Sequence, residues 1–338
     1  MLPGQTQMLT DAFNRTLDYL RVSITDRCNL RCVYCMPPEG VQWKPHDSML
    51  KFEEILRLCR IMAELGIKKI KITGGEPLVR RGAALFIKEL KTLPGIEKVT
   101  LTTNAFLLGS YLDEAEALGV LPDSVNISLD ALNPDTFRRI TRAKGLSPEE
   151  MFFQIDRLLE KQIPVKINCV PVRHFNEEEI VPLAALARNK HIAVRFIELM
   201  PMGIARDLTP ISGGETAAIL EQAYGSLGLL ADVHGNGPAL YYSLPGFTGM
   251  IGFINPVSRG FCETCNRLRL SSEGLLKPCL SSDLSLDLRT PLRSGVSDSE
   301  LINAITEISS QKPRFHDFSH VYGAGAGQHA DGMSEIGG

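Results

Sequence analysis

In five separate segments of this chain every second residue is branched and apolar, while the residues between are hydroxyls, amides, carboxylates or cations. Leu20, Val22 and Ile24 alternate with Arg21, Ser23 and Thr25, and Ile70 and Ile72 with Lys71 and Thr73. Val99 and Leu101 alternate with Thr100, Thr102 and Asn104, and Val125, Ile127 and Leu129 with Asn126, Ser128 and Asp130. Val165 and Ile167 face away from Lys166 and Asn168. A period of two is strand geometry, with successive side chains on opposite faces. A sixth strand follows at "VRFIEL", and helical stretches lie between the strands at Phe52–Leu65, Ala83–Thr92, Leu107–Leu118, Pro148–Lys161 and Glu177–Asn189. That order predicts a parallel sheet with crossover helices. A sheet covered on both faces would show continuous apolar runs, and a closed eight-stranded barrel would fill its interior with branched apolar side chains. What remains is an α/β fold built as an open, partial (β/α)6 TIM-type barrel whose concave face binds a polar ligand. The bland alternative is a sheet with one face in solvent.

Length and composition permit that fold without staples. The 338 residues, 44% hydrophobic and 22% charged, suffice for one large domain or two ordinary ones. A formal net charge of −3 argues against a surface broadly built for nucleic acid, yet leaves room for a local basic pocket. The stretch "MLPGQTQMLTDAFN" has neither a basic nor an apolar signal region, and no apolar run approaches the ~18 residues of a membrane span. The expected compartment is the cytoplasm, where clustered cysteines stay reduced and read as metal ligands or redox groups.

After Pro201 the pattern changes to a connecting loop, a helix at Glu215–Tyr224, then short β-hairpins with a turn at "SSEG". Residues 298–311 read as a final helix and the tail is rich in glycine. The expected division is a barrel domain over residues 1–215 and a β-rich domain over 216–338.

Six of the eight cysteines form two sets of three: Cys28, Cys32 and Cys35, spaced C-x3-C-x2-C, and Cys262, Cys265 and Cys279, spaced C-x2-C-x13-C. Cys59 and Cys169 sit in helical and strand patterns and read as small buried hydrophobes. The first set follows the first strand, at the carboxyl end of the sheet where barrels place their sites. A cubane cluster used only for electron transfer takes four cysteines. Three leave one iron open to a substrate, as catalytic zinc sites do. Zinc with His46 as fourth ligand is the other metal reading, although the spacing is unlike paired C-x2-C modules. After the second strand, "KITGGEPLVR" places Gly74 and Gly75 where a ligand could approach the backbone, and Glu76 as a carboxylate acceptor. Arg267 and Arg269 lie two apart beside the second set, hence on one strand face, and their guanidinium forks suit a phosphate or purine edge.

The first cysteine set, with Tyr34 before its third member and the Gly-Gly-Glu-Pro turn behind it, resembles the radical S-adenosylmethionine (SAM) superfamily. The resemblance implies that the open iron chelates SAM and that Tyr34, Gly75, Glu76, Ser128 and Met200 line its site. Over most of its length the chain resembles the GTP 3′,8-cyclase family of molybdenum cofactor biosynthesis. The segments that carry this are "YLRVSITDRCNLRCVYCMP", "KITGGEPLVRR", "TTN", "NISLD", "VKINCV", "RFIELMP", "FCETCNRLRL" and the terminal "IGG". It implies a second [4Fe–4S] cluster on Cys262, Cys265 and Cys279, carried by the C-terminal domain. It further implies that Arg21, Lys71, Thr102, Lys166, Arg267, Leu268 (through its backbone) and Arg269 bind GTP, with Arg267 and Arg269 taking part in catalysis. Arg195 and Arg80 are further cations whose direction the sequence leaves open, and Gly337-Gly338 resembles a tail that reaches the active site. The implied partners are GTP, a cyclic pyranopterin monophosphate synthase downstream and an electron donor of flavodoxin or ferredoxin type. A homodimer is open to it; membrane and nucleic acid are not expected. Two positions depart from the family's habit: lysine at 71, where arginine is frequent, and "TTNAF" in place of "TTNG". Two rivals stay open at this stage, a radical SAM peptide-modifying enzyme and a zinc-stabilised interaction or nucleic-acid module, which metal analysis would separate.

Overall fold

The alternating segments are the parallel strands they predict. In the computed structural model, which describes residues 8–41, 44–231, 237–316 and 318, the strands run β1 Tyr19–Ser23, β2 Lys69–Thr73, β3 Lys98–Thr103, β4 Ser124–Ser128, β5 Val165–Cys169 and β6 Ala193–Ile197. The helices between them are α1 Phe52–Glu64, α2 Ala83–Thr92, α3 Leu108–Ala117, α4 Pro134–Thr141, α5 Glu149–Glu160 and α6 Ile180–Ala185. After them come α7 Gly213–Tyr224, β7 Gly228–Leu229, β8 Leu240–Ser243, β9 Met250–Ile254, β10 Arg267–Leu270, β11 Leu275–Lys277 and β12 Leu286–Asp287. Two helices, α8 Arg289–Arg293 and α9 Asp298–Ser310, complete the described chain. The Gly337-Gly338 tail lies outside the described residues.

Among the described residues the sheet order is β12-β11-β10-β1-β2-β3-β4-β5-β6-β9-β8-β7. Strands β1 to β6 are the partial (β/α)6 barrel. The C-terminal segment then extends both of its edges: β10 pairs parallel with β1, β9 pairs parallel with β6, and antiparallel hairpin partners lie beyond each. The turn between β10 and β11 is the expected "SSEG", closed by the Ser271 and Leu275 backbones at 2.9 Å.

Burial follows the strand parity. Leu20, Val22, Ile70, Ile72, Val99, Leu101, Val125, Ile127 and Ile167 are all 0% exposed and share one core with the helices. The register then sets the inward residues in rows: Arg269 beside Arg21 beside Lys71, and Asn168 beside Arg195. Opposite Arg195 stands Gly252, where a Cβ would come within 2.8 Å of the Arg195 Cγ. The glycine lets that long side chain lie along the inner face. Cys59 and Cys169 are buried, as small hydrophobes should be.

Two helical expectations change. Helix α4 was not anticipated, though its start is written in Asn133-Pro134: the Asn133 side chain accepts from the Asp135 and Thr136 N–H groups at 2.9 and 3.1 Å, and proline sits in the first turn. The helix expected over Glu177–Asn189 is a 3₁₀ turn at Glu177–Glu179 followed by the six residues of α6. Glu179 is buried with its carboxylate on the Leu132 N–H at 2.7 Å, and beyond α6 the backbone tightens to i→i−3 bonds at Leu186, Ala187 and Arg188. No helix among the described residues is long and apolar enough to cross a membrane.

Asn133→Ala removes the cap of a short helix whose inner face, Phe137 and Ile140, is buried. The expected loss is about 1 kcal/mol, read from the urea midpoint; an unchanged midpoint would mean that tertiary packing alone fixes this turn.

Candidate functional site

A cavity of about 320 Å³ opens on the inner face, within the usual ~300–1,000 Å³ of small-molecule sites. Both cysteine sets line it: Cys28, Cys32 and Cys35, and Cys262, Cys265 and Cys279. So do Tyr34, Gly75, Glu76, Ser128, Met200, Arg21, Lys71, Thr102, Arg267 and Arg269. Two expected residues stay outside the lining. Leu268 is wholly buried on the apolar face, so only its backbone could serve a ligand. Lys166 lies over the Tyr241 ring, 6.0 Å from its centre. Arg195 resolves inward and Arg80 does not. Arg80 donates to the Ile24 and Leu50 carbonyls at 2.6 and 2.8 Å and lies 4.0 Å over the Phe52 ring, a brace behind the sheet. His46 is exposed in a separate hollow with Arg27, Lys51 and Arg80, away from the thiols.

The first thiol loop hangs from its surroundings by backbone bonds. Arg31 and Val33 N–H groups donate to Thr141 and Ile140 carbonyls, each at 2.9 Å, and Arg142 donates to Met36 O at 2.9 Å. Helix α4 therefore carries the cysteine loop. The Gly-Gly turn lines the cavity and also admits a neighbouring backbone. A Cβ on Gly75 would lie 2.4 Å from the Arg27 carbonyl oxygen, and one on Gly74 would lie 2.7 Å from that of Thr25. The space a Cβ would need is taken by the chain entering the cysteine loop, and the Gly75 and Glu76 N–H groups donate to the Thr25 and Arg27 carbonyls at 2.8 and 2.7 Å.

Glu76 is 1% exposed. Its Oε1 accepts from the Thr103 hydroxyl and the Leu78 N–H, and its Oε2 from the Asn104 N–H. Burial pushes its carboxyl up to about 7 even against those donors. The Tyr34 hydroxyl donates to Asp130 at 2.6 Å, so the face it offers a ligand is its ring. Asp130, raised to about 6 by burial, also accepts from the Val170 N–H. In "TTNAF" Ala105 takes φ +66°, the left-handed conformation a glycine would hold freely, at a cost of about 1–2 kcal/mol.

Burial raises thiols in both sets, Cys262 among them, and Cys265 is the exception. Burial raises Cys28 to about 11 and Cys35 to about 12, and holds Cys32 well above its ordinary value. Burial also pushes Cys265 up, but Lys312, Arg267 and Arg269 outweigh it and leave that thiol below its usual value. Among the described residues no three His, Cys, Asp or Glu groups converge on a single ion. Thiolates that each bind a different iron of a cluster need not converge, so both donor sets fit an iron–sulfur cluster better than zinc.

The floor is cationic. Arg195, 5% exposed, donates to the amide oxygens of Asn168 at 2.9 Å and Asn126 at 2.6 Å, which orient its charge without neutralising it. The Arg267 Nε and the Thr73 hydroxyl are buried with no hydrogen-bond partner among the described residues. Burial and the neighbouring Arg195, Arg21 and Lys166 hold Lys71 well below the ordinary lysine range. Burial, then Arg21 and Arg267, lower Arg269 to about 9. Such a floor is built for a polyanion. Asn104 and Asn168, on the polar strand face but not named as ligands, also line the cavity, as do Tyr19, Lys312 and His316. For Asn104 and Asn168 the strand parity was the available signal; for Lys312 and His316 the sequence carried none.

Comparison with known proteins follows the same lines. The profile described as Radical SAM superfamily matches residues 22–187, and that described as Molybdenum Cofactor Synthesis C matches residues 192–318. The GTP 3′,8-cyclase of Heliobacterium modesticaldum is 44% identical over 98% of this chain and 100% of that protein. That of Desulforamulus reducens is 44% identical over 91% and 95%. Among solved structures, Streptococcus suis SuiB bound to S-adenosylmethionine superposes with a TM-score of 0.58 at 16% identity, covering 86% of this chain and 67% of that one. At that identity the likeness shows the fold alone.

Lys71→Met, which removes one of several mutually repelling buried cations, is expected to stabilise the ligand-free protein by about 1 kcal/mol and to weaken tripolyphosphate binding at least tenfold. A lower thermal midpoint would show that the ammonium is compensated within the protein. Burial, Arg195 and Lys98 bring Lys166 to about 8 from the ordinary 10.5. A base lowered in the fold binds fewer protons there than in the unfolded chain between those values. Stability should therefore rise with pH from about 8 towards 10.5, and Lys166→Met should flatten that rise in thermal melts.

Proposed function

The chain belongs to the GTP 3′,8-cyclase family of radical SAM enzymes, and from that membership we propose that its cavity holds SAM at the Cys28 end and GTP at the Cys262 end. It converts GTP to (8S)-3′,8-cyclo-7,8-dihydroguanosine 5′-triphosphate in molybdenum cofactor biosynthesis. Its cofactors are two [4Fe–4S] clusters and SAM, which when bound supply an electron and a 5′-deoxyadenosyl radical. Cys28, Cys32 and Cys35 hold the first cluster, and Cys262, Cys265 and Cys279 the second.

The protein's own groups bind, orient and shield. Glu76 is fixed by three donors and keeps acceptor capacity on Oε2, where an amino group of SAM can donate. The Tyr34 ring, held by Asp130, and Gly75, Ser128 and Met200 enclose the same end. Arg21, Lys71, Thr102, Arg267 and Arg269 bind GTP, whose roughly four negative charges need charge-assisted donors when buried. Lys71 acts there as a point charge, where arginine would offer a fork. Arg195, fixed by two amides, adds its charge to that floor. The observation that carries this reading is that two incomplete thiol sets and a cationic floor line one cavity. A cytoplasmic setting, a flavodoxin- or ferredoxin-type donor and a cyclic pyranopterin monophosphate synthase as consumer of the product complete the proposal.

Anaerobic incubation with SAM, reductant and GTP should yield 5′-deoxyadenosine and a cyclised nucleotide together. In the Arg267→Ala/Arg269→Ala double variant cyclisation should fall at least a hundredfold while basal SAM cleavage stays measurable. Cyclisation at the native rate would reject the assignment of these two residues to GTP.

A further inference from the structure

The two thiol sets differ in how their members are kept together. Cys28, Cys32 and Cys35 share one short loop, so covalent connection already limits their spread. Cys262 and Cys265 sit on a 3₁₀ turn, but Cys279 arrives only after β10, the turn and β11. Something other than the local chain must fix its distance from the other two.

Two buried cations from opposite ends of the described chain grip the backbone beside each of these cysteines. Arg15, 8% exposed, donates through Nη1 to the Cys262 carbonyl at 2.6 Å and the Arg314 carbonyl at 3.0 Å. Its Nη2 donates to the Pro313 carbonyl at 2.6 Å and the Lys312 carbonyl at 3.4 Å, while Nε is held by Asp11. Lys312, 2% exposed, donates through Nζ to the Arg267 carbonyl at 2.8 Å and to the Pro278 carbonyl. Arg267 stands two residues after Cys265, and Pro278 directly precedes Cys279. Every thiol of the second set therefore has a clamped carbonyl at or within two residues of it. The same segment brings the His316 N–H to the Cys262 sulfur at 3.3 Å.

We propose that Arg15 and Lys312 form a two-cation clasp that sets the spacing of Cys262, Cys265 and Cys279, so that the second cluster site is assembled by joining the chain's N-terminal segment to the segment that follows α9. Both are positioning residues: they act through the thiols and through the Arg267 backbone. This rests on the reading that those thiols hold a cluster.

Iron and sulfide counting after anaerobic reconstitution tests the clasp. The native protein should carry about eight irons, whereas Lys312→Met should carry about four and keep the SAM cleavage seen without GTP. Arg15→Lys, which keeps the charge but loses the fork, should lose second-site iron in the same way. Ser212→Ala, which removes the side-chain cap of α7 and touches neither thiol set, should keep about eight. About eight irons in both clasp variants, or equal loss from the two sites, would overturn the proposal. A native protein with only about four would instead overturn the two-cluster reading beneath it.

Discussion

Everything else in this structure follows from placing positive charge on the inner face of a sheet. Arg21, Lys71, Arg195, Arg267 and Arg269 all face one cavity, and their hydration is replaced there by neighbours that are largely cationic or neutral. Removing charges from water costs several kcal/mol per ion unless a counter-charge returns. The apolar face bears that cost: its branched side chains are fully buried under helices and hold the strands in register regardless of what the inner face carries. A polyanion bound there would bring counter-charge to that face. A site arranged this way is less stable empty than occupied, which is a physical reason for a substrate to bind where an apolar interior would have refused it.

The surroundings of the cysteines differ along the cavity. Around Cys28, Cys32 and Cys35, burial is the leading influence and the thiols are raised. Around Cys265, lysine and arginine charges reverse the effect of burial. At that end Arg267, two residues after Cys265, lines the cavity with its side chain and accepts from Lys312 with its carbonyl.

Close packing of backbones, more than side-chain chemistry, positions the Cys28 end. Gly74 and Gly75 admit the entry to the cysteine loop, Glu76 fastens the adjoining β3 turn through Thr103 and Asn104, and α4 suspends the loop from the other side. Ala105 accepts a left-handed backbone in that turn because the Thr103 hydroxyl receives its N–H at 3.0 Å and its side chain is buried. Tertiary packing overrides a local preference worth about 1–2 kcal/mol.

The sequence alone determined the strands, the face each residue takes and the two incomplete thiol sets, because parity and spacing are properties of covalent geometry that no neighbour can alter. It was enough to bring Arg21, Lys71 and Thr102 to the inner face and to put Glu76 beside the cysteine loop. It could not show that Lys166 leans over Tyr241 while Arg195 crosses above Gly252, since both obey the same parity and only the packing around them differs. Nor could it show that Arg80 braces the back of the sheet, or that the Arg27 backbone packs against Gly75. Arg15 and Cys262, 247 residues apart, meet through a hydrogen bond that no local pattern encodes. Tertiary structure decided these points because each depends on which distant backbone carbonyl or ring comes within reach once the sheet is complete.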